Sequence, residues 1–333
     1  MLQLGYKASA EQFGPRELLD FSVQAEARGF DSVAVSDHFQ PWQHTNGHAP
    51  NVFPWLGALA ARTERVRIGT SVLTPTFRYH PSVVAQASAT LALLSNDRFF
   101  LGVGSGESLN EIAPLGIEWP GFKERAGRLR EAIELMQRLW REEIVTFEGQ
   151  YYRTHKATVY DRPKNGVPLY VAAAGPTAAL LAGRVADGFI CTSGKAWELY
   201  RDTLLPKLAE GAEKAGRDPK RIERMIEMKV SYDTDPERAL HDTRYWAALA
   251  LSPEDKVGID DPRDMEAKAA TVADQAHRRW IVTADPDEMV ERIAPYVDLG
   301  FDHLVFHAPG PDQTRFLDLF ARDVLPRLRQ RFG

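Results

Sequence analysis

The strongest candidate for chemistry is a histidine that follows a short apolar run. The residues Ser36, Asp37 and His38 come directly after a β-branched run that starts at Ser32. An imidazole titrates near neutral pH and can therefore accept or donate a proton under ordinary conditions. Because His38 stands next to Asp37 at the predicted carboxyl end of a strand, the pattern favours a catalytic role over a structural one.

A glycine-rich segment supplies a second candidate proton-transfer group. Residues 102–110 resemble a dinucleotide fingerprint, but Glu107 stands where its last glycine would fall, so the segment is not that motif. Its glycines still let a planar or anionic ligand approach the backbone. Ser105 and Asn110 are candidate polar contacts for such a ligand, and we expect Glu107 to face His38 across the same site.

Two further features are typical of phosphate binding. Residues 172–177 run from a predicted strand into a helix start, whose free amides attract anions, although a tight turn with a capped helix explains them nearly as well. Lys195 follows a strand directly, whereas Lys256 and Arg279 lie in later loops, and each alone would be an ordinary surface charge. If the three cations converge on a phosphate, each contributes about 1.5 to 3 kcal/mol through charge-assisted hydrogen bonds.

The remaining reactive side chains are interpreted as structural. Cys191 is the single cysteine and lies in an apolar stretch without a neighbouring histidine, so we expect a buried and inert thiol. His303 and His307 share one predicted strand but lack the carboxylate pattern of a metal site. We therefore predict that no metal is bound.

Composition excludes several classes of function. The 333 residues carry a net charge of -5, and 44% of them are apolar, which is enough for a sizeable core. Basic residues are scattered, which argues against a nucleic-acid partner. No run of about 18 apolar residues occurs, and the first residues lack the pattern of a signal peptide. We expect a cytoplasmic protein with a small-molecule substrate and no membrane partner.

Short β-branched runs alternate with helical stretches, such as residues 15–28 and 122–140. Eight such units predict parallel pairing and closure into a (β/α)8 TIM barrel, in which the chemistry lies on the loops after the strands. The predicted strands are residues 2–8, 32–36, 65–73, 98–104, 167–173, 189–192, 225–232 and 303–307.

We expect one domain over residues 1–333, with insertions near 39–53, 145–163 and 252–279, because these connections exceed the usual loop length. The second insertion has the look of a hairpin, with Gly149 near its turn. Asp235 and Asp285, each followed by proline, predict capped helix starts.

Several long segments resemble the bacterial luciferase-like family, in particular its members that use the deazaflavin coenzyme F420 to oxidise glucose 6-phosphate. The resemblance runs nearly end to end, and it implies a TIM barrel, F420 as the cofactor and a homodimer. Two features depart from the family pattern: Ala174 stands where glycine is expected, and residues 112–121 differ. The matching segments are residues 5–13, 36–42, 69–79, 188–195 and 303–309.

The resemblance also implies where the cofactor lies. The deazaflavin ring would cover the barrel mouth, with its phosphate-bearing tail at the helix start after residue 173, and a cis peptide bond would join Ser71 to Val72. The implied contacts are Asp37, Ser71, Val72, Thr74, Ser105, Gly106 and Asn110 for the ring, and Ala174, Gly175, Thr177 and Ala178 for the tail.

The implied reaction moves a hydride from carbon 1 of glucose 6-phosphate to the oxidised deazaflavin and gives 6-phosphogluconolactone. His38 would accept the proton of the anomeric hydroxyl. Glu107 would supply or stabilise the proton at nitrogen 1 of the deazaflavin ring, although these two roles could be exchanged. Glu11 is a third candidate acid or base, and Trp42 would stabilise the developing charge. The implied phosphate-binding residues are Thr192, Lys195, Lys256 and Arg279.

Three alternatives remain open from the sequence. The first is a monooxygenase of the same family that uses flavin mononucleotide, against which the three cations argue. The second is a sugar-phosphate lyase or isomerase with Lys195 as a Schiff-base amine. The third is a deazaflavin-binding protein without catalysis, which would not need His38 and Glu107 to face each other.

Overall fold

The structure is a computed structural model that describes residues 2–333, and its centre is a closed ring of eight parallel strands. The ring contains all strands except β5, β6 and β10, and it closes where β1 pairs with β11. This confirms the predicted (β/α)8 TIM barrel. The strands are β1 (Gln3–Ala8), β2 (Ser32–Val35), β3 (Arg67–Thr70), β4 (Phe99–Val103), β5 (Val145–Glu148), β6 (Arg153–Ala157), β7 (Leu169–Ala172), β8 (Gly188–Thr192), β9 (Glu223–Tyr232), β10 (Ile281–Thr283) and β11 (His303–His307).

Helices cover the outside of the ring and fill the long connections. Short 3-10 and π segments occupy Leu199–Leu204, Pro219–Arg221, Thr243–Ala250 and Ala273–Arg279. No helix within residues 2–333 is long and apolar enough to cross a membrane. The α-helices are α1 (Pro15–Ala27), α2 (Val52–Arg62), α3 (Pro81–Leu94), α4 (Ser108–Leu115), α5 (Phe122–Arg141), α6 (Pro176–Val185), α7 (Leu205–Lys214), α8 (Pro236–Asp242), α9 (Pro253–Lys256), α10 (Pro262–Ala270), α11 (Pro286–Asp298), α12 (Gln313–Asp323) and α13 (Leu325–Phe332).

All eight predicted strands are present with small differences at their ends, and β10 is an additional strand, paired with β9, that was not predicted. Strand β3 stops at Thr70, three residues before the predicted end, and Leu73 returns only as an isolated bridge to Val103. The predicted hairpin is confirmed as the antiparallel pair β5 and β6. Asp235 and Asp285 accept hydrogen bonds from the first amides of α8 and α11, which confirms both predicted caps.

The amino-terminal end of the barrel is closed by a buried polar network. His303 Nδ1 lies 2.6 Å from Glu223 Oε1, and its Nε2 lies 2.6 Å from Ser32 Oγ. Arg67 binds the same glutamate and donates to the Tyr170 hydroxyl. The structural role predicted for His303 is confirmed, because this network satisfies both ring nitrogens. The chemistry must therefore lie at the opposite, carboxyl-terminal end.

The last turns of α6 pack closely against α7, and this contact gives a first prediction. A Cβ atom on Gly183 would lie 2.1 Å from the Leu208 carbonyl oxygen and 2.7 Å from the Ala212 nitrogen. Gly183→Ala must push the two helices apart, so the free energy of unfolding in urea should fall by about 1 to 3 kcal/mol.

The control for this substitution is Gly57→Ala in α2, where an added Cβ meets no atom within 4 Å. The free energy of unfolding of that variant should be unchanged or higher by about 0.4 to 1 kcal/mol, because alanine restricts the unfolded chain more than glycine does. Equal stability of the Gly183→Ala and Gly57→Ala proteins would show that the contact between α6 and α7 is not tight.

Candidate active site

One cavity of about 660 Å³ opens where the barrel strands end. Loops after β2, β3, β4, β7 and β8 form its walls, so it occupies the place at which a TIM barrel carries its chemistry. His38, Glu107, Thr192 and Lys195 also line it. All of the predicted cofactor contacts border this cavity: Asp37, Ser71, Val72, Thr74, Ser105, Gly106, Asn110, Ala174, Gly175, Thr177 and Ala178.

His38 stands between two carboxylates. Its Nδ1 lies 2.8 Å from Glu11 Oε1, and its Nε2 lies 3.4 Å from Glu107 Oε1. Nδ1 is not aligned for a good hydrogen bond, so the contact with Glu11 is mainly electrostatic. The structure thus brings three of the four predicted catalytic residues together, with His38 19% exposed and Glu107 36% exposed.

The charges around His38 set its protonation. Burial alone would lower the pKa of His38, but Glu11 and then Glu107 outweigh it and raise that pKa above the ordinary 6.5. Burial would likewise raise the pKa of Glu11, yet His38, Lys7 and the Ser36 hydroxyl lower it to about 2. Glu11 is therefore a fixed carboxylate at neutral pH, and His38 is the group of this pair that titrates.

Glu107 is held in place by the neighbouring amide of Asn110. The Asn110 side chain donates to Glu107 Oε1 at 2.6 Å, and its own oxygen accepts from the backbone amides of Phe39 and Gln40 at 2.7 and 3.0 Å. Asn110 lines the cavity, but its hydrogen-bonding groups already serve this contact between loops. Its main effect is to tie the loop that follows His38 to the loop that carries Glu107.

The fourth predicted catalytic residue, Trp42, lies beside the cavity and does not line it. Its ring centroid is 6.5 Å from that of His38, and the Lys256 ammonium stands 5.0 Å above the indole. Glu11 also lies behind the cavity wall and acts on the site through His38. Trp42 is therefore close to both His38 and Lys256, one of the predicted phosphate-binding cations.

Lys195, Lys256 and Arg279 form a cation cluster. None of the three makes an ion pair with a carboxylate elsewhere in residues 2–333, and the buried Arg279 Nε has no hydrogen-bond partner there. Burial, followed by Lys195 and Arg279, lowers the pKa of Lys256 to about 8. Burial and Arg279 similarly lower the pKa of Lys195. Cations that repel one another without a directly ion-paired carboxylate are typical of a site for an anion.

The three cations do not all face the same space. Lys195 and Thr192 line the main cavity, whereas Arg279 lines an adjacent cavity of about 430 Å³ behind Gly194. Arg279 donates to the Ser193 carbonyl at 3.3 Å, which holds it against the loop after β8. Lys195 and Arg279 thus face two adjacent cavities, while Lys256 lies over the Trp42 ring and lines neither.

The opposite part of the main cavity fits a planar ring with an anionic tail. Helix α6 begins at Pro176, and its N-cap, Gly175, provides no side chain to satisfy the first free amides. A Cβ on Gly104 would lie 2.9 Å from Val72 Cγ2, and one on Gly106 would lie 3.0 Å from Thr74 Cγ2. Both glycines therefore let the loop after β4 pack closely against residues 72 and 74 in this wall. A helix start with free amides is a suitable place for a phosphate group.

The Ser71-Val72 peptide bond in this wall is cis, as the family resemblance implies.

Cys191 lines the same cavity and is buried, as predicted, and burial raises the pKa of its thiol well above the ordinary value. A thiol in that state is a poor nucleophile. No group of three potential metal ligands occurs among residues 2–333.

Sequence reasoning missed the partners of Asp37. Arg78 donates to the Asp37 carboxylate at 2.8 Å and also lies 3.3 Å from Glu111, while the Tyr79 hydroxyl lies 3.3 Å from Asp37. Burial raises the pKa of Glu111 to about 7 even though Arg78 opposes the shift. These residues are more than 30 positions apart in the sequence, so no local motif marks the contact.

The comparisons with known proteins agree with this geometry. Residues 2–303 match the family described as luciferase-like monooxygenase. A protein of Beutenbergia cavernae named F420-dependent glucose-6-phosphate dehydrogenase is 64% identical over 332 residues, which cover 99% of this chain and 98% of that protein. A protein of Nakamurella multipartita with the same name is 62% identical over 333 residues, which cover 100% and 98%.

Solved structures of other proteins have the same overall fold as this chain. An F420-dependent secondary alcohol dehydrogenase in complex with an F420-acetone adduct has a TM-score of 0.93 at 34% identity, over 98% of this chain and 99% of its own. An F420-dependent tetrahydromethanopterin reductase from Methanopyrus kandleri, with a TM-score of 0.81 at 24% identity, shares the fold. The chain belongs to the luciferase-like monooxygenase family.

Proposed function

We propose that this protein is an oxidoreductase that transfers a hydride from carbon 1 of glucose 6-phosphate to oxidised coenzyme F420. The observation that carries the proposal is the arrangement of the site: one cavity brings together His38, a helix start that suits an anionic tail, and Lys195 of a cation cluster that forms no ion pairs within residues 2–333. The names of relatives above 60% identity over nearly the whole chain support the same substrate and cofactor.

The two ends of the site would hold the two reactants. The free amides at the start of α6, with Gly175, Thr177 and Ala178, would bind the tail of F420, and Val72 would support its ring. The cation cluster of Lys195, Lys256 and Arg279, together with Thr192, would bind the phosphate of the sugar. Holding both reactants in one cavity would bring carbon 1 close to the ring and reduce the entropy cost of the encounter.

When bound, the oxidised deazaflavin supplies a two-electron acceptor, which is the chemistry that no side chain can provide. His38 accepts the proton of the anomeric hydroxyl while carbon 1 loses its hydride and becomes the lactone carbonyl. Glu11 would stabilise the imidazolium that results, and Glu107, 3.4 Å from His38 Nε2, would relay a proton from His38 or solvent to the ring nitrogen. Trp42 packs beside His38 and would help to stabilise the charge that develops there.

The titration of these groups predicts a bell-shaped dependence of kcat/KM on pH. His38 must be neutral to act as a base, and Glu11 and Glu107 raise its pKa, so the acid limb should lie above pH 6.5. Lys256 loses its charge at about pH 8 in the protein without substrate, which should weaken phosphate binding and give the alkaline limb.

The control for the acid limb is Glu107→Gln, which removes one of the carboxylates beside His38. Its acid limb should move to lower pH, because the imidazolium is then less stabilised. An acid limb that stays at the same pH in this variant would assign it to another group.

Cofactor binding separates the proposal from its nearest alternative. We expect the purified protein to bind oxidised F420 tightly and flavin mononucleotide weakly, as measured by quenching of the fluorescence of each cofactor. Tight binding of flavin mononucleotide alone would instead support a monooxygenase. Borohydride should not trap glucose 6-phosphate on the protein, since a covalent adduct at Lys195 would support a lyase or isomerase.

We also propose that the protein acts in the cytoplasm as a homodimer. Phosphorylated sugars are charged and remain inside the membrane that encloses them, which suits a cytoplasmic enzyme. Exposed apolar side chains on α3, namely Val83, Leu93 and Leu94, support burial of this helix against a second copy. Light scattering should give twice the mass of the 37.3 kDa chain.

A further inference from the structure

One buried lysine has no part in the reaction described above. Lys7 lies on β1 inside the barrel and is 4% exposed. Its ammonium donates to the Ser71 carbonyl at 2.5 Å and lies 3.2 Å from Glu227 Oε2. An ammonium is costly to bury, and apolar residues usually fill such interior positions equally well. Because stability alone does not require a lysine here, we expect the role of its two contacts to lie in the neighbouring site.

The anchor of Lys7 is itself firmly held. Glu227 lies on β9, lines the main cavity, and accepts from the Lys229 ammonium at 2.7 Å. His307 Nδ1 lies 3.3 Å from the same carboxylate. Burial would raise the pKa of Glu227, but Lys229 and Lys7 hold it well below the ordinary value, so the carboxylate stays charged. Lys7 thus sits on a rigid anionic support below the cavity floor.

The other contact of Lys7 reaches the wall on which the cofactor would lie. The Ser71 amide donates to the Val35 carbonyl at 2.8 Å, and the Asp37 amide donates to the Val72 carbonyl at 3.2 Å. Residues 71 and 72 are therefore fixed to the end of β2 on one side and to Lys7 on the other. Without the ammonium, the buried Ser71 carbonyl loses its charged partner and this part of the floor can shift.

Lys7 also affects the charge balance at His38. The charged groups that act on His38 are Glu11 from the loop after β1, Glu107 from the loop after β4, and Lys7 from β1 itself. Burial lowers the pKa of His38, the two carboxylates raise it, and Lys7 opposes the carboxylates. Two carboxylates without this cation would hold His38 more firmly as imidazolium, a form that cannot accept a proton.

We propose that Lys7 is a positioning residue with two tasks: its ammonium fixes the Ser71 carbonyl in the cavity floor, and its charge offsets the carboxylates so that His38 can act as a base. This inference rests on the proposed function, because it assigns a purpose to a neutral His38 and to a cofactor at residues 71 and 72. Glu227 is the support that holds Lys7 for both tasks.

The test compares Lys7→Met, Lys7→Arg and wild-type protein by two measurements. The first is the titration midpoint of the His38 ring, followed by NMR in the absence of cofactor. The second is the dissociation constant for oxidised F420.

In Lys7→Met the midpoint of the His38 titration should move to higher pH, and the dissociation constant for F420 should rise about tenfold with the loss of a charged hydrogen bond. Lys7→Arg keeps the charge and should keep the midpoint. Lys164→Met, the same change on an exposed loop, should match wild type in both.

Each outcome decides the proposal. If either the His38 midpoint or the dissociation constant of Lys7→Met equals the wild-type value, Lys7 is only structural and the proposal is overturned. Should Lys7→Met fail to fold, the comparison of Lys7→Met/Glu227→Gln with Glu227→Gln gives the same two readings without a buried unpaired carboxylate. If wild-type protein does not oxidise glucose 6-phosphate, the proposed function fails, while the histidine titration still reports on Lys7.

Discussion

Replacing His38 by alanine should lower kcat for oxidation of glucose 6-phosphate by roughly 100-fold to 10,000-fold, the range expected when a general base is lost. The imidazole lies between Glu11 and Glu107, 2.8 and 3.4 Å away, and these carboxylates raise its pKa above the ordinary 6.5. Steady-state rates at saturating cofactor and sugar measure the effect.

The control for this variant is His155→Ala, which removes an exposed histidine from the hairpin strand β6. It should leave kcat unchanged. The His38→Ala protein should bind oxidised F420 nearly as tightly as wild type, since the ring wall and the start of α6 are untouched. A His38→Ala protein with near-normal kcat would remove His38 from the proton transfer and leave Glu107 as the candidate base.

The second large effect is expected at the cation cluster. Lys195→Ala should raise KM for glucose 6-phosphate about 10- to 150-fold, because one charge-assisted hydrogen bond to phosphate is lost, with a much smaller change in kcat. Arg279→Met should act in the same direction. Lys195 and Arg279 repel each other in the protein without substrate, so part of the loss is offset by relief of that repulsion.

Unphosphorylated glucose provides the internal control for the cation cluster. Its kcat/KM, low in wild type, should be about the same in Lys195→Ala, because the sugar then has no group for the lysine to bind. Lys164→Ala removes an exposed lysine and should change neither substrate. An unchanged KM for glucose 6-phosphate in Lys195→Ala would place the phosphate elsewhere in the cavity.

The barrel could be predicted from the sequence because each of its strands and helices is marked by a pattern within its own short segment. Most barrel strands are short, largely apolar runs that alternate with amphipathic helices, so eight repeated units already indicate closure. The chemistry at His38 and Glu107 follows from the same reasoning, since strand ends in a barrel meet at one mouth. Strand ends were predicted less accurately: β3 ends at Thr70, the last of its residues to pair with β2, three residues before the predicted end.

The contacts that tune the site could not be predicted in this way. Lys7 meets Ser71 across 64 positions, and Arg78 meets Asp37 across 41, so each depends on the packed barrel and not on a local pattern. Asn110 shows the same limit, because its side chain serves Glu107 and the loop after β2 as well as bordering the cavity. The division of the cations between two adjacent cavities, with Arg279 behind Gly194, likewise appears only in three dimensions.

The central claim is tested most directly by mixing the protein and oxidised F420 with glucose 6-phosphate that carries deuterium at carbon 1. The account predicts loss of the visible absorbance of the deazaflavin, deuterium in the reduced cofactor, and a slower hydride step than with the unlabelled sugar. Reduction of the cofactor without transfer of deuterium, or no reduction with any hexose phosphate, would contradict it.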